Sequence, residues 1–331
     1  MSGHWSVPVP PAQHPVLVIN PRSGGGKAER FGLIEQCRAR GIEPLVLEQG
    51  ADLVGLVEKA VAEGADAVGM AGGDGSQGAV ASVVSRNGIA MVVVPSGTRN
   101  HLAMDLGLDR RDVVGALDAF GDASEGRVDL AEVNGRTFVN NASLGLYAEI
   151  VRSPGYREAK AETALDTLSR LLGPGTRPFP LRFPGPVGER YTAAHVLQIS
   201  NNPYGSPPGS IARRPHMDSG RLGVLAVELA DPAAVKAFRA AAEARSAERL
   251  PGVRTWAVTE FEVDADGALD LGIDGEAVRM APPLRFTIHP RALRVRVPRH
   301  APGLSPAARQ LPTRSPLGRP RARAPHPLLL T

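Results

Sequence analysis

The sequence predicts an α/β domain built on a parallel sheet, followed by a second, mostly antiparallel β domain. Three observations predict this. From residue 16 onward, short apolar runs alternate with helical segments, the pattern of βαβ units. Three glycine-rich loops each follow an apolar run and precede a helical one. After Asp129 the texture changes to β-branched runs broken by Gly and Pro, which suits antiparallel strands. At 331 residues the chain is long enough to bury two cores.

The elements follow in order. "VLVIN" (16–20) leads through "PRSGGGK" to a predicted helix over 27–40, and "EPLVL" (43–47) is followed by a helix over 52–63. "DAVGMAG" (66–72) leads through "GDGSQG" to a helix over 77–86, and "IAMVVVP" (89–95) leads through "SGTRN" to a short helix over 100–106. The later strands are predicted in "RTFVNNASLG", "AAHVLQISNN", "RLGVLAVEL", "RTWAVTEFEVD" and "LRFTIHPRALRVRV", with helical interruptions at 157–172 and 232–246. The expected division is 14–129 for the α/β domain and 130–285 for the β-rich domain. The last strands, about 286–298, return to the first domain, and 299–331 form a tail.

Composition excludes several classes. A single cysteine, Cys37, allows no intramolecular disulfide, and no Cys/His cluster has zinc-ligand spacing. No apolar run reaches the ~20 residues of a membrane span, and "MSGHWSVPVPPAQHP" lacks a cationic region followed by an apolar one. A cytoplasmic protein is expected. The net charge of +4 resides in the tail, where Arg309, Arg314, Arg319, Arg321 and Arg323 stand without an acidic residue. That placement gives no reason to expect a nucleic-acid partner. The Pro-rich tail reads as disordered, with attraction to anionic lipid, about 1 kcal/mol per basic residue at the surface, as the functional alternative.

In an open parallel sheet the strands' carboxyl ends share one edge, where ligands bind. "NPRSGGGK", "GGDGSQG" and "PSGTRN" should therefore converge. Glycine lets backbone N–H groups approach phosphate oxygens at a helix N-terminus, and Arg22, Lys27 and Arg99 can add positive charge. One such loop is an ordinary tight turn; three on one edge predict a polyphosphate site. "GGDGSQG" contains the spacing G-x-G-x-x-G, but residues 79–104 hold no Asp or Glu to take the ribose hydroxyls of a dinucleotide. Asp74 points elsewhere. A carboxylate a few Å from phosphate is repelled by roughly 1–4 kcal/mol, and a bound Mg²⁺ reverses that sign. An Asp inside the glycine loop therefore suggests phosphoryl transfer with a metal nucleotide, or else an N-cap for the following helix.

"NPRSGGGK", "GGDGS" and "PSGTRNHLAMDLGL", in that order and spacing, resemble the diacylglycerol kinase catalytic domain, a family that includes bacterial lipid kinases and the sphingosine and ceramide kinases. The likeness continues through "NNASLGLYAEIV", "ISNNPYGSPPGSIARRPHMDSGRLGVLAVE" and "LGIDGEAV", covering most of 16–298. The resemblance implies an α/β nucleotide domain, a C-terminal β-sandwich and a lipid entering the cleft between them, with ATP and Mg²⁺ as cofactors. Asn20, Pro21, Arg22, Ser23 and Gly24 would form the first ATP loop. Gly72, Gly73, Asp74, Gly75 and Ser76 would hold the phosphates and their Mg²⁺, with Thr98 and Asn100 as further nucleotide contacts. The "DGE" motif supplies Asp274 and Glu276, and Glu276 is the favoured general base. The implied reaction carries diacylglycerol, or a related lipid at a membrane surface, to its phosphate.

Several positions depart from the family pattern. Gly78 and Ala79 replace an Asn-Glu pair, His101 replaces an Asp, and Glu48 or Gln49 occupies a position usually held by Thr. A second metal site at a D-D-G turn reads Asp218-Ser219-Gly220, leaving Asp218 with the carbonyls of His216 and Arg221 as ligand candidates. Helix 157–172 carries Ala161, Leu165, Leu168, Leu171 and Leu172 at helical spacing, the mark of core packing or of a lipid-facing surface. Two other functions remain open at this stage: an NAD kinase, which shares the GGDG loop, and a nucleotide- or lipid-binding protein without turnover. The sequence names neither the acceptor lipid nor the oligomeric state, a homodimer included.

Overall fold

The structure is a computed structural model that describes residues 6–152, 172, 176–205, 213–243 and 252–301. The first strands are β1 (Ser6–Val9), β2 (Pro15–Ile19), β3 (Glu43–Val46), β4 (Ala67–Ala71), β5 (Ala90–Val94), β6 (Ala123–Val133) and β7 (Arg136–Phe138). The later ones are β8 (Asn141–Gly145), β9 (Phe183–Pro184), β10 (Arg190–Tyr191), β11 (Val196–Asn201), β12 (Leu222–Val227), β13 (Val253–Val258), β14 (Glu260–Val263), β15 (Leu269–Ile273), β16 (Glu276–Met280) and β17 (Leu284–Pro298). The helices are α1 (Lys27–Arg30), α2 (Leu33–Ala39), α3 (Leu53–Ala62), α4 (Asp74–Arg86), α5 (His101–Asp105), α6 (Leu146–Arg152) and α7 (Pro232–Glu243).

The four apolar runs of the first hundred residues form the parallel half of a nine-stranded sheet, in the order β3-β2-β4-β5. Side chains along β2 alternate between two cores. Val16 and Val18 pack with Val57, Val80 and Val84 on one face, while Leu17 and Ile19 pack with Leu33, Cys37 and Phe120 on the other. With both faces covered, the strands read as continuous apolar runs. β17 then lies between β5 and β6, parallel to the first and antiparallel to the second.

The second sheet is antiparallel and six-stranded, in the order β13-β12-β11-β8-β15-β16. Its inner face packs on the antiparallel half of the first sheet, and the two layers share a core that includes Phe138, Leu197, Phe261, Leu271 and Phe286. Phe138 meets Phe286 edge-on, with ring centroids 6.4 Å apart, a geometry worth about 1 kcal/mol beyond area burial. The architecture is thus an α/β parallel-sheet domain followed by an antiparallel β-sandwich.

Three sequence expectations change. The helix predicted over 27–40 is two short helices, because Gly32 adopts a left-handed φ of 56° between them and ends the first. α4 begins at Asp74 rather than at 77, since Gly75 and Gly78 of "GDGSQG" are helical and tertiary contacts override their poor propensity. β1 was not anticipated; it pairs antiparallel with β6 at the sheet's edge, where Pro8 is tolerated. The helix predicted over 157–172 lies outside the described residues except for Leu172, which is buried beside Val196 and Phe238. Residues 244–246 and the tail beyond 301 also lie outside them.

Candidate active site

The three loops meet at the carboxyl edge of the parallel strands. Asn20 donates its N–H to the Ala71 carbonyl (2.9 Å), which ties the first loop to the second. Gly24, at φ 58°, lies so close to Ser96 that an added Cβ would collide with its carbonyl oxygen. Lys27 Nζ donates to the Gly97 carbonyl at 3.1 Å. A Cβ on Gly97 would in turn meet the Gly73 Cα at 2.5 Å. Pro21 and Ser23 are half-buried beside this junction, while Arg22 and Thr98 are exposed. Burial lowers the Lys27 ammonium from its ordinary range, and the charges of Arg110 and Arg30 lower it further.

Asn100 fixes the third loop. It is buried with φ 55°, its Oδ1 accepts the Gly97 N–H at 2.9 Å, and its Nδ2 donates to the Pro95 and Gly97 carbonyls at 3.2 and 2.9 Å. Arg99 turns toward the second domain and donates to the Tyr147 hydroxyl at 3.4 Å. Gly72 accepts from Gln77 Nε2 at 3.3 Å. Gln77 Oε1 and Ser96 Oγ are buried without a hydrogen-bond partner among the described residues.

Asp74 is the first residue of α4, whose N-cap is Gly73. The capping alternative therefore changes: the Asp74 carboxylate accepts N–H groups from His101 and Leu102, both at 3.2 Å, at the start of α5. The second and third loops are thus joined through a carboxylate that is 8 % exposed as a residue.

Across from it stands the turn between β15 and β16. Asp274 occupies that turn with φ 47°, and its carboxylate accepts the N–H groups of Val139 and Asn140 at 2.8 Å each and of Asn141 at 3.2 Å. Its carboxyl is pushed up to about 7 by burial, with the nearby Asp74 charge adding to the rise and the Val139, Asn140 and Asn141 N–H groups opposing it. A Cβ on Gly78 would approach Asp274 Oδ2 to 2.9 Å, so the Asn usual at that position in the family would not fit here. Glu276, two residues on, reaches Gly75, whose added Cβ would collide with the Glu276 carboxylate. Its other oxygen accepts from Arg136 Nη2 at 2.9 Å. The structure therefore brings Asp74, Gly75, Asp274 and Glu276 to one place.

Sequence reasoning singled out neither Arg136 nor the buried pair of Asp105 and Arg214, joined at 2.7 Å. Asp105 and Arg214 both stand inside quoted motifs, "HLAMDLGL" and "ARRPHMDSG", so an unexplained charge inside an otherwise apolar or loop motif was the available signal. At the other proposed metal position, Asp218 is exposed, and Ser219 gives its N–H and hydroxyl to Asn202 Oδ1 at 2.8 and 2.6 Å. Among the described residues, no three His, Cys, Asp or Glu side chains gather as a metal site, and no helix is long and apolar enough to cross a membrane.

Comparison with known proteins agrees with this arrangement. Residues 14–133 match the model of the diacylglycerol kinase catalytic domain. A Pseudomonas aeruginosa protein named "Probable lipid kinase YegS-like" is 27% identical over 305 residues, covering 90% of this chain and 97% of the relative. A Mycobacterium tuberculosis diacylglycerol kinase is 31% identical over 180 residues, covering 50% of this chain and 57% of its own. A solved structure from Bacillus anthracis str. Sterne superposes with a TM-score of 0.68 at 17% identity, covering 88% of this chain and 97% of the other. A second from the same source, a diacylglycerol kinase, gives 0.60 at 15% identity, covering 88% and 98%. These likenesses to solved structures establish the fold. Fold and relatives together define a phosphotransferase, a lipid kinase of the diacylglycerol kinase type. Over residues 14–133 the chain is similar to the diacylglycerol kinase catalytic domain.

Proposed function

We propose that this kinase transfers the γ-phosphate of Mg-ATP to the hydroxyl of diacylglycerol, giving phosphatidic acid. The observation that carries the reading is the approach of Glu276 to Gly75, beside Asp74, at the first turn of α4. It sets a carboxylate of the second domain against the phosphate loop of the first. Residues 14–129 would then serve the nucleotide and 130–285 the lipid.

The donor set suits a magnesium nucleotide. Glycine backbones line the loop edge, the Cβ positions of Gly25, Gly26 and Gly73 face open space, Lys27 lies in the loop junction, and two buried oxygens, Gln77 Oε1 and Ser96 Oγ, lack partners among the described residues. The N–H groups of Gly24 and of 72–76, with Ser76 and Thr98, would bind and orient the phosphates. Pro21 has no N–H, and those of Asn20, Arg22 and Ser23 are spent inside the protein. Asn100, whose amide is spent inside its own loop, shapes that loop instead of touching nucleotide. When bound, Mg²⁺ supplies the positive charge that lets Asp74 stand next to phosphate. Glu276 accepts the proton of the lipid hydroxyl as its oxygen forms the bond to phosphorus and the bond to the departing ADP oxygen breaks. Asp274 is occupied by three N–H donors and holds the turn, which leaves Glu276 as the base. Arg136 orients it through a single N–H. The acceptor would be reached at the inner membrane face with the protein peripheral, the described residues holding no helix long and apolar enough to span. Asp218 would hold at most a second, separate ion.

The test is transfer of labelled phosphate from ATP to a total lipid extract, with the product identified by mass spectrometry. Magnesium-dependent labelling of diacylglycerol, lost in folded Asp74→Ala and Glu276→Ala variants, is expected. Undiminished transfer by both variants overturns the assignment, and production of NADP from NAD moves the reading to another kinase class.

A further inference from the structure

We propose that Asp105 and Arg214 are a positioning pair for the transfer site: together they fix segment 139–141, which holds the Asp274 carboxylate and so sets the height of Glu276 over Gly75. The inference rests on the reading of Glu276 as the base.

Arg214 is wholly buried, and its guanidinium spends four N–H bonds on three different elements. Nε donates to Asp105 Oδ2 at 2.7 Å, Nη1 to the carbonyls of Val139 at 2.5 Å and Asn201 at 2.7 Å, and Nη2 to Asn140 Oδ1 at 2.8 Å. The Arg214 backbone N–H adds a longer bond to Asp105 Oδ1, at 3.4 Å. Val139 and Asn140 are therefore gripped from both sides, with carbonyl and side-chain oxygens on Arg214 and backbone N–H groups on Asp274. A planar fork with fixed donor directions does this; a lysine ammonium could not reach all four acceptors.

The contacts close a ring. α5 holds the Asp74 carboxylate by N–H groups at its start and carries Asp105 at its end. Asp105 holds Arg214, Arg214 holds 139–140, and 139–141 hold Asp274. Two residues beyond Asp274, Glu276 returns to Gly75, next to Asp74. The ring passes from the parallel-sheet domain into the sandwich and back. The ion pair itself contributes placement more than stability, because a buried ion pair is often matched or bettered in stability by apolar residues of similar volume; the bonds of Arg214 to Val139, Asn201 and Asn140 contribute to both.

That property supplies the test. The variant Asp105→Leu/Arg214→Met removes both charges, so no unpaired charge is buried, but it also takes the donor from the Asn201 carbonyl and from Asn140 Oδ1. It is expected to fold with a lowered thermal midpoint, because those acceptors lose their donor, to keep KM for ATP within about threefold, and to lose on the order of 100-fold in kcat, as a misplaced base would. Adding Asp274→Asn to it should cost less than Asp274→Asn costs in the wild type, since coupled residues are not additive. A folded double variant with kcat within about twofold of wild type, and additive with Asp274→Asn, overturns the proposal. If the double variant does not fold, Asn140→Ala removes one link of the grip. A drop of about fivefold or more in kcat at unchanged ATP KM then supports the pair, and an unchanged kcat overturns it. Glu276→Gln measured alongside separates the two ideas. An active Glu276→Gln enzyme refutes the base assignment, whereas an inactive one beside an unaffected pair variant refutes the positioning pair alone.

Discussion

Asp74 and Asp274 are both aspartates whose carboxylates are held by backbone N–H groups, but the donors come from different distances along the chain. Those of Asp74 lie 27 and 28 residues away, in the next loop of the same sheet edge. Those of Asp274 lie 133–135 residues away, where β7 gives way to β8. The first half of the site is assembled by a local βα repeat and the second by the closure of the sandwich. The phosphate-loop half should therefore tolerate perturbation of the sandwich, whereas the 274–276 half depends on both domains being formed.

The strongest way to break this comparison is Glu276→Gln, which keeps the side chain over Gly75 but removes the proton acceptor. A drop on the order of 10²–10⁴ in kcat is expected, with unchanged circular dichroism and ATP affinity, measured by steady-state phosphate transfer and calorimetry. Next comes the titration of Asp274. Its carboxyl is raised from 3.8 to about 7 in the folded chain, so within that window the folded state keeps a proton that the unfolded state has lost. Stability is greatest below the unfolded value and falls as pH rises through the folded one, by on the order of 2–4 kcal/mol. Urea denaturation across the window should show this slope in the wild type and a flatter line in Asp274→Asn.

Gly24→Ala sharpens the other half. Its φ of 58° and the Ser96 carbonyl leave no place for a methyl group, so a loss of about 1–3 kcal/mol and a raised KM for ATP are expected, read by thermal melts and kinetics. The smallest effect belongs to Arg136→Gln. Both partners of its ion pair with Glu276 are 42 % exposed, so stability should change by less than about 1 kcal/mol. A change in kcat without a change in melting temperature would locate the effect in the orientation of Glu276.

Legibility in the sequence follows the same division. The strands β2 to β5 and their three loops were readable because each is a short run of local pattern, and the loops' meeting follows from the geometry of any parallel sheet. Gly32 shows the limit of that approach: the apolar spacing on both sides suits one helix, and only the left-handed conformation of a single residue divides it. The grip of Arg214 on Asp105 was not readable, because it joins residues 109 positions apart, and in sequence each is one charge among many. Gly78 is intermediate. Its departure from the family pattern was visible, but its reason, the Asp274 oxygen occupying the space of a side chain, needed the fold.

The placement of β17 has a consequence for how the chain reaches its native state. The segment that matches the family model, 14–133, contains β5 and β6, yet those two strands do not touch as neighbours in the sheet; residues 284–298 fill the seam between them. During synthesis the seam between β5 and β6 cannot be filled until residues 284–298 have emerged. A fragment cut after 133 would expose two unpaired strand flanks, a template for association with other chains. The last strand among the described residues is thus the one that makes the first domain whole.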